Sequence, residues 1–147
     1  MSTTVKHPVT VASVFLWIGF VCAISFMEAW LKFQAEGVTL VIGLSIGRLV
    51  FDALNKIEWV FALSVIISIF WSKDQLFQKI NTPYFIVLIL LISQTFRLLP
   101  ALDIRAQMLI DGKEVGASNT HFYYVGMEVV KVVCLFIFGI KLFKSTP

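Results

Sequence analysis

The residues best suited to chemistry are a glutamate and a lysine inside a long apolar run near the C-terminus. Glu128 and Lys131 lie within residues 121–143, a stretch long enough to cross a bilayer as a helix. A charge at that depth costs roughly 2.5–3.5 kcal/mol or more, so it usually faces protein or water and has a partner. Two interpretations follow: a structural ion pair between helices, or a site for a ligand, an ion or a proton.

Other polar residues are expected to gather near this pair. At a helical spacing of 3.6 residues, His121, Tyr124 and Glu128 share one stripe. Glu28 comes near the end of the first apolar run and Arg97 near the end of the third, so both are predicted to lie in the same leaflet. We therefore expect one polar pocket that opens to one side. Its predicted ligand-binding residues are Glu28, Arg97, Glu128 and Lys131, with His121 and Tyr124 at the mouth.

A second polar cluster is predicted before the second apolar run. Arg48, Asp52 and Lys56 follow one another at four-residue intervals, which places them on one helix face, and Glu58 comes next. A face turned to solvent or lipid headgroups is the alternative to a binding site. The Gly43-x-x-x-Gly47 spacing in the same segment favours close contact with another helix.

The helices that must position these residues follow from the apolar runs. We predict an all-α protein, a single integral membrane domain over residues 1–147 that forms a four-span transmembrane helical bundle. An interfacial amphipathic helix is expected between spans one and two, over residues 38–55, and it either bends or continues into the second span. Pro8 suits the start of the first helix, and Pro100 ends or kinks the third. The predicted spans are residues 9–32, 57–71, 83–99 and 121–143.

The composition agrees with a membrane protein. Of 147 residues, 59% are hydrophobic and 14% are charged, and the charged fraction of a soluble domain is about 25%. The apolar stretch from Val9 is too long for the core of a signal peptide, so we interpret it as an uncleaved first span. The net charge of +3 comes without a basic run, so nucleic-acid binding is not expected.

Orientation follows from the lysines that flank the spans. An even number of spans places both termini on the same side as the polar connector predicted over residues 72–83. That side holds five lysines and one acid, Asp74. The opposite side has about as many Lys and Arg, but most of them lie within a few residues of an acid. If those cations are paired locally, the positive-inside rule predicts that the termini are cytoplasmic. The five lysines are Lys6, Lys73, Lys79, Lys141 and Lys144.

The sequence lacks the residues that several classes of functional site require. His7 and His121 are the only histidines, which argues against a haem held by two histidines within one chain. Cys22 and Cys134 form no Cys-x-x-Cys pair, so neither thiol redox chemistry nor a zinc site is expected. Phosphate-binding glycine loops and nucleophile elbows are also absent. We therefore expect no cofactor and no metal.

Three short features carry a resemblance to a known family. They are Trp17-Ile18-Gly19 in the first span, the segment Gly47–Phe51, and a last helix that begins with polar residues at His121. In these features the chain resembles the transmembrane-protein-205-like group of small four-helix membrane proteins. It departs from the group's pattern after the first span, where Ala29-Trp30 stands in place of a proline. The resemblance implies a four-helix membrane fold and no particular activity.

Three functional hypotheses follow. In the first, the chain binds or transports a small ligand or ion through its polar pocket. Transport would favour a homo-oligomer because four spans are few to enclose a complete transport path. In the second, it is a structural or accessory subunit whose charges pair with helices of another membrane protein. The third and least favoured is a membrane enzyme that modifies a lipid. In all three the bilayer is a partner.

Overall fold

In the part of the chain that the structure describes, four long helices follow one another. The computed structural model describes residues 7–71 and 81–143, and every regular element within them is helical. This confirms the predicted all-α fold. The tails at 1–6 and 144–147, with their lysines, and residues 72–80 of the predicted connector lie outside the described residues. The helices are α1 (Pro8–Gln34), α2 (Leu40–Trp71), α3 (Thr82–Ile110) and α4 (Thr120–Leu142).

Three of these helices are long and apolar enough to cross a membrane. They are α1, α2 and α3, with 27, 32 and 29 residues. The fourth helix has 23 residues but carries Glu128, Lys131 and Lys141, and by composition it is not among the three. The number of helices that qualify by length and composition within the described residues is therefore one fewer than predicted.

The second helix is a single uninterrupted element. An interfacial helix was expected over residues 38–55, bending or continuing into a span over 57–71, and α2 runs from Leu40 to Trp71 without a break. Residues 48–71 contain neither proline nor glycine to end it. At 1.5 Å per residue, 32 residues measure about 48 Å, which exceeds the roughly 30 Å of a hydrocarbon core. The charged first half of α2 therefore continues directly into its apolar second half as one helix.

The third helix also continues past its predicted end. It was expected to stop near Leu99, yet it extends through Pro100 to Ile110. Residues Gln94–Leu98, immediately before this proline, form a wider π-helical turn. Pro100 lacks an N–H group, and its ring crowds the carbonyl oxygen four residues earlier. A widened turn accommodates both effects, so the chain remains helical.

The four helices pack as an up-down-up-down bundle. Pairs of side chains along α1 and α2 show that these helices are antiparallel: Thr10 contacts Ser68, while Trp17 contacts Glu58. The same order relates α2 to α3 and α3 to α4, and α4 returns against α1. One face of each helix meets the others in a common apolar core. The core consists of Val14, Trp17, Val21, Leu54, Ala62, Val65, Ile69, Tyr84, Val87, Leu91, Leu135 and Phe138.

Candidate functional site

A lysine and two glutamates meet in the centre of the bundle. The Lys131 Nζ atom lies 2.5 Å from Glu58 Oε1 and 3.1 Å from Glu128 Oε1. All three side chains are at most 1% exposed. Taking charges out of water is costly and is offset only when close partners replace the water. The ammonium group provides such a partner for both carboxylates. We call Glu58, Glu128 and Lys131 the buried triad.

All four helices contribute to the surroundings of the buried triad. From α1, the Trp17 indole N–H donates a hydrogen bond to Glu58 Oε1 at 2.9 Å. From α3, the Gln94 side-chain amide donates to Glu128 Oε1 at 2.8 Å. Since Glu58 belongs to α2 and the other two members to α4, the triad joins the whole bundle. An arrangement of this kind fixes the rotation of each helix about its axis.

Several buried oxygen atoms near the buried triad have no hydrogen-bond partner among the residues that the structure describes. They are Oε2 of Glu58, Oε2 of Glu128, Oε1 of Gln94 and the hydroxyl of Tyr124. Three of these four atoms can only accept a hydrogen bond when the acids are ionised, and the fourth, the tyrosine hydroxyl, can also donate one. An orphaned buried polar atom is uncommon and calls for an explanation, such as a bound water, an ion or a role in function.

A cavity of about 590 Å³ lies beside the triad, toward the end of the bundle where α1 finishes and α2 begins. Its walls are mainly apolar, and several polar side chains interrupt them. Among these, Asn55 and Thr95 are hydrogen-bonded to each other at 2.9 Å, and the Trp59 indole donates to the same threonine oxygen at 3.0 Å. The residues that line the cavity include Phe33, Arg48, Phe51, Asp103, Ala106 and His121.

Two ion pairs border the cavity. Arg48 forms a two-pronged contact with Asp103, at 2.5 Å from Nε and 3.0 Å from Nη2, and also donates to Gln107. Lys32 contacts Glu28 at 3.2 Å, and its ammonium group lies 5.6 Å from the centre of the Phe51 ring. The cations at this border are therefore held by neighbouring acids, and Lys32 also has an aromatic face in reach.

One aromatic contact connects the cavity with the triad. Phe51 lines the cavity, and its ring meets the ring of Tyr124 edge to face, with centroids 5.4 Å apart. Tyr124 stands one turn before Glu128 on α4 and is itself fully buried. Among the residues that line this cavity, none belongs to the triad. The two sites are thus neighbours separated by a layer of side chains.

The structure does not assemble the predicted pocket from its six residues. It brings together Tyr124, Glu128 and Lys131 inside the bundle. Glu28 is partly buried and pairs with Lys32, while Arg97 is exposed on α3. His121 is exposed and lines the cavity, so it alone among the six belongs there. The polar residues are therefore divided between a closed triad and an open cavity.

The predicted second cluster is also divided. Arg48 turns to Asp103 on α3, and Asp52 pairs with Lys56 on the exposed side of α2 at 2.6 Å. Glu58 leaves this group altogether and joins the triad. Glu58 is two positions after Lys56, which corresponds to about 200° around a helix, so the two side chains point to opposite faces.

Sequence reasoning missed two members of the site. Trp17 and Gln94 supply the hydrogen bonds to the carboxylates, yet neither was a candidate. Their periodicity carries a signal: Trp17 stands three to four residues from Val14 and Val21 on a buried stripe of α1. Gln94 similarly follows Leu91 on the buried stripe of α3. Periodicity indicates that these polar groups face inward, but it does not identify the carboxylate that each one meets.

The remaining polar groups do not suggest a metal centre. Within residues 7–71 and 81–143, no group of three His, Cys, Asp or Glu side chains could hold a metal ion. Cys22 and Cys134 are both free thiols in partly buried positions.

Comparisons with protein-family models, with curated proteins and with solved structures gave no match to this chain. The resemblance to the transmembrane-protein-205-like group therefore stays a prediction.

Proposed function

We propose that the chain is a four-span integral membrane protein that binds a small amphiphilic ligand in the cavity between α1, α2 and α3. The cavity carries this proposal: at about 590 Å³ it lies within the 300–1,000 Å³ typical of small-molecule sites. Such sites are mostly apolar with a few placed polar groups, and this cavity has the same character.

The side chains that α4 exposes support a fourth span. Its two central charges, Glu128 and Lys131, are turned inward and buried. Its outward face is apolar, with Val129, Val133 and Ile140 among the residues that are about half exposed. A helix whose central charges are inside meets the middle of the bilayer with an apolar surface. On this basis α4 crosses the membrane with the other three helices, and both termini lie on one side, which we propose is the cytoplasmic side.

The lining of the cavity supports an amphiphile as the ligand. Phe33, Phe51 and neighbouring aliphatic side chains suit an acyl or isoprenoid chain, while Arg48 and Asp103 at the border suit a polar head that carries both charges or none. Because each cation already has an acid beside it, a strongly anionic head would have to compete with Asp103. A neutral or zwitterionic head avoids that competition.

The other hypotheses receive less support. An accessory subunit was expected to offer Glu128 and Lys131 to a partner's helices, but these residues pair with each other and with Glu58 inside one chain. A lipid-modifying enzyme would need reactive groups in the cavity, where His121 is the one histidine among the described lining residues. Transport by this chain would require several copies around a shared path.

Filling the cavity tests the proposal. Ala106 lines the cavity on α3, and the substitution Ala106→Phe places a ring inside it. We expect binding of a lysophosphatidylcholine probe, measured by native mass spectrometry of the purified protein, to fall by about tenfold, a loss of roughly 1.4 kcal/mol.

The matched control is Ala53→Phe, on the exposed side of α2 and away from the cavity. It should bind the probe as the unmodified protein does. Equal binding by both variants, or no specific binding by the unmodified protein, would exclude the cavity as the site.

A further inference from the structure

The charges of the buried triad do not balance. Two carboxylates face one ammonium group, so the fully ionised triad carries one excess negative charge. An uncompensated charge in a dry interior is among the most costly arrangements in a protein. A positively charged species that binds within the triad would remove the excess.

The unpartnered oxygen atoms around the triad are suited to one additional proton. Oε2 of Glu58, Oε2 of Glu128 and Oε1 of Gln94 are buried acceptors without a donor, while the Tyr124 hydroxyl offers one donor. One additional proton on a carboxylate would convert an acceptor into a donor. It would allow one of these unpartnered oxygen atoms to donate a hydrogen bond and would cancel the excess charge at the same time.

A proton fits this place better than a metal ion does. The Lys131 ammonium group already occupies the position between the two Oε1 atoms that a metal would take. A proton needs no volume of its own and no set of ligands. We propose that the buried triad is a proton-binding site in which Glu58 and Glu128 share one proton in addition to the charge of Lys131.

The side chains that α1 and α3 place against the triad do not titrate, so the proton would reside on the triad itself. From α1 the neighbour is the Trp17 indole, and from α3 it is the Gln94 amide, neither of which titrates. From α2 and α4 come the triad itself and Tyr124. The proposal does not depend on ligand binding, because no member of the triad lines the cavity.

Infrared spectroscopy of the full-length protein in lipid tests this proposal directly. A protonated carboxyl group has a carbonyl stretch that is separate from the carboxylate bands and shifts in D₂O. We expect one such buried group, lost as the pH is raised. Glu58→Gln and Glu128→Gln should each remove the band, since the remaining acid is then balanced by Lys131. The control Glu28→Gln alters a partly exposed pair outside the triad and should keep it.

Three results would overturn the proposal. The first is the absence of a protonated carboxyl band from the unmodified protein at every pH at which it stays folded. The second is a band that survives unchanged in both triad variants. The third is loss of the band on addition of sodium or potassium at constant pH, which would assign the site to a metal ion. If one variant fails to fold, the unmodified protein and the other variant still test the proposal.

Discussion

At the scale of single residues, Lys131 holds the most constrained position in the molecule. Its side chain is fully buried, and its ammonium group is the common partner of two carboxylates from different helices. A buried ion pair adds little to stability compared with apolar packing, because desolvation offsets much of the attraction. Removal of one partner is different, since it leaves the others charged and unpaired.

Replacement of Lys131 by methionine should therefore be costly. Lys131→Met keeps most of the volume but leaves Glu58 and Glu128 without their cation, and we expect a loss of about 3–5 kcal/mol in the free energy of unfolding. The measurement is chemical or thermal unfolding of the purified protein in detergent. The matched control is Lys56→Met, which breaks an exposed pair with Asp52 and should leave stability unchanged within error. Similar stability of the two variants would contradict the role assigned to Lys131.

The sequence identifies part of this site at the residue scale. Glu128 and Lys131 stand out because charges inside an apolar run are expensive, and Tyr124 follows from helical spacing. Glu58 was placed with Arg48 and Lys56 because they are close along the chain, although helical spacing separates it from them. Arg97 was expected inside, but it is exposed. Its position depends on the rotation of α3, which contacts with other helices determine.

At the scale of elements, close contacts between helices depend on small residues. Gly139 on α4 is buried, and a Cβ atom at this position would lie 3.1 Å from the Phe15 ring and 3.2 Å from Val14, both on α1. The Gly43-x-x-x-Gly47 spacing also allows a close contact between helices. A Cβ atom on Gly43 would lie 2.1 Å from the Phe33 ring, so this glycine makes room for the end of α1.

A leucine at position 139 should push α1 and α4 apart. Overpacking of this kind costs typically about 1–3 kcal/mol, so we expect Gly139→Leu to lower the unfolding temperature measured in detergent. Gly126→Leu is the control on the same helix, because a Cβ atom at Gly126 meets nothing within 4 Å. The interpretation fails if Gly126→Leu is as destabilising as Gly139→Leu.

The boundaries of the elements were harder to predict than their existence. All four apolar runs are helical, as expected, but α2 and α3 are each longer than predicted. In α2, the polar and apolar halves were expected to bend or continue into one another, and the backbone continues because nothing in the sequence breaks it there. In α3, Pro100 was expected to end or kink the helix, and the wider turn at Gln94–Leu98 instead carries the helix past it. Composition reports the surroundings of a segment better than its ends.

At the scale of the whole molecule, the polar groups form layers along the bundle. Hydroxyl pairs between Thr10 and Ser68 and between Ser13 and Ser64 lie toward one end. The buried triad lies in the middle, and the cavity with its bordering ion pairs lies toward the other end. The sequence predicted this asymmetry in outline, since it placed most charges at one end. It could not predict the separation of triad and cavity, which results from the way four helices pack together.

The proposed topology makes a prediction for the intact protein. The α1–α2 and α3–α4 connections lie at the same end of the bundle, so Glu36→Cys and Ser118→Cys should be labelled from the same side of the membrane. The background is a protein in which Cys22 and Cys134 are replaced by serine, and the reagent is a membrane-impermeant maleimide applied to intact cells. With four spans and cytoplasmic termini, both engineered cysteines react, and a tag added after the C-terminus stays protected. If α4 does not cross the membrane, the tag becomes accessible together with Ser118→Cys. Protection of both cysteines with an exposed tag would instead reverse the orientation and retain the four spans.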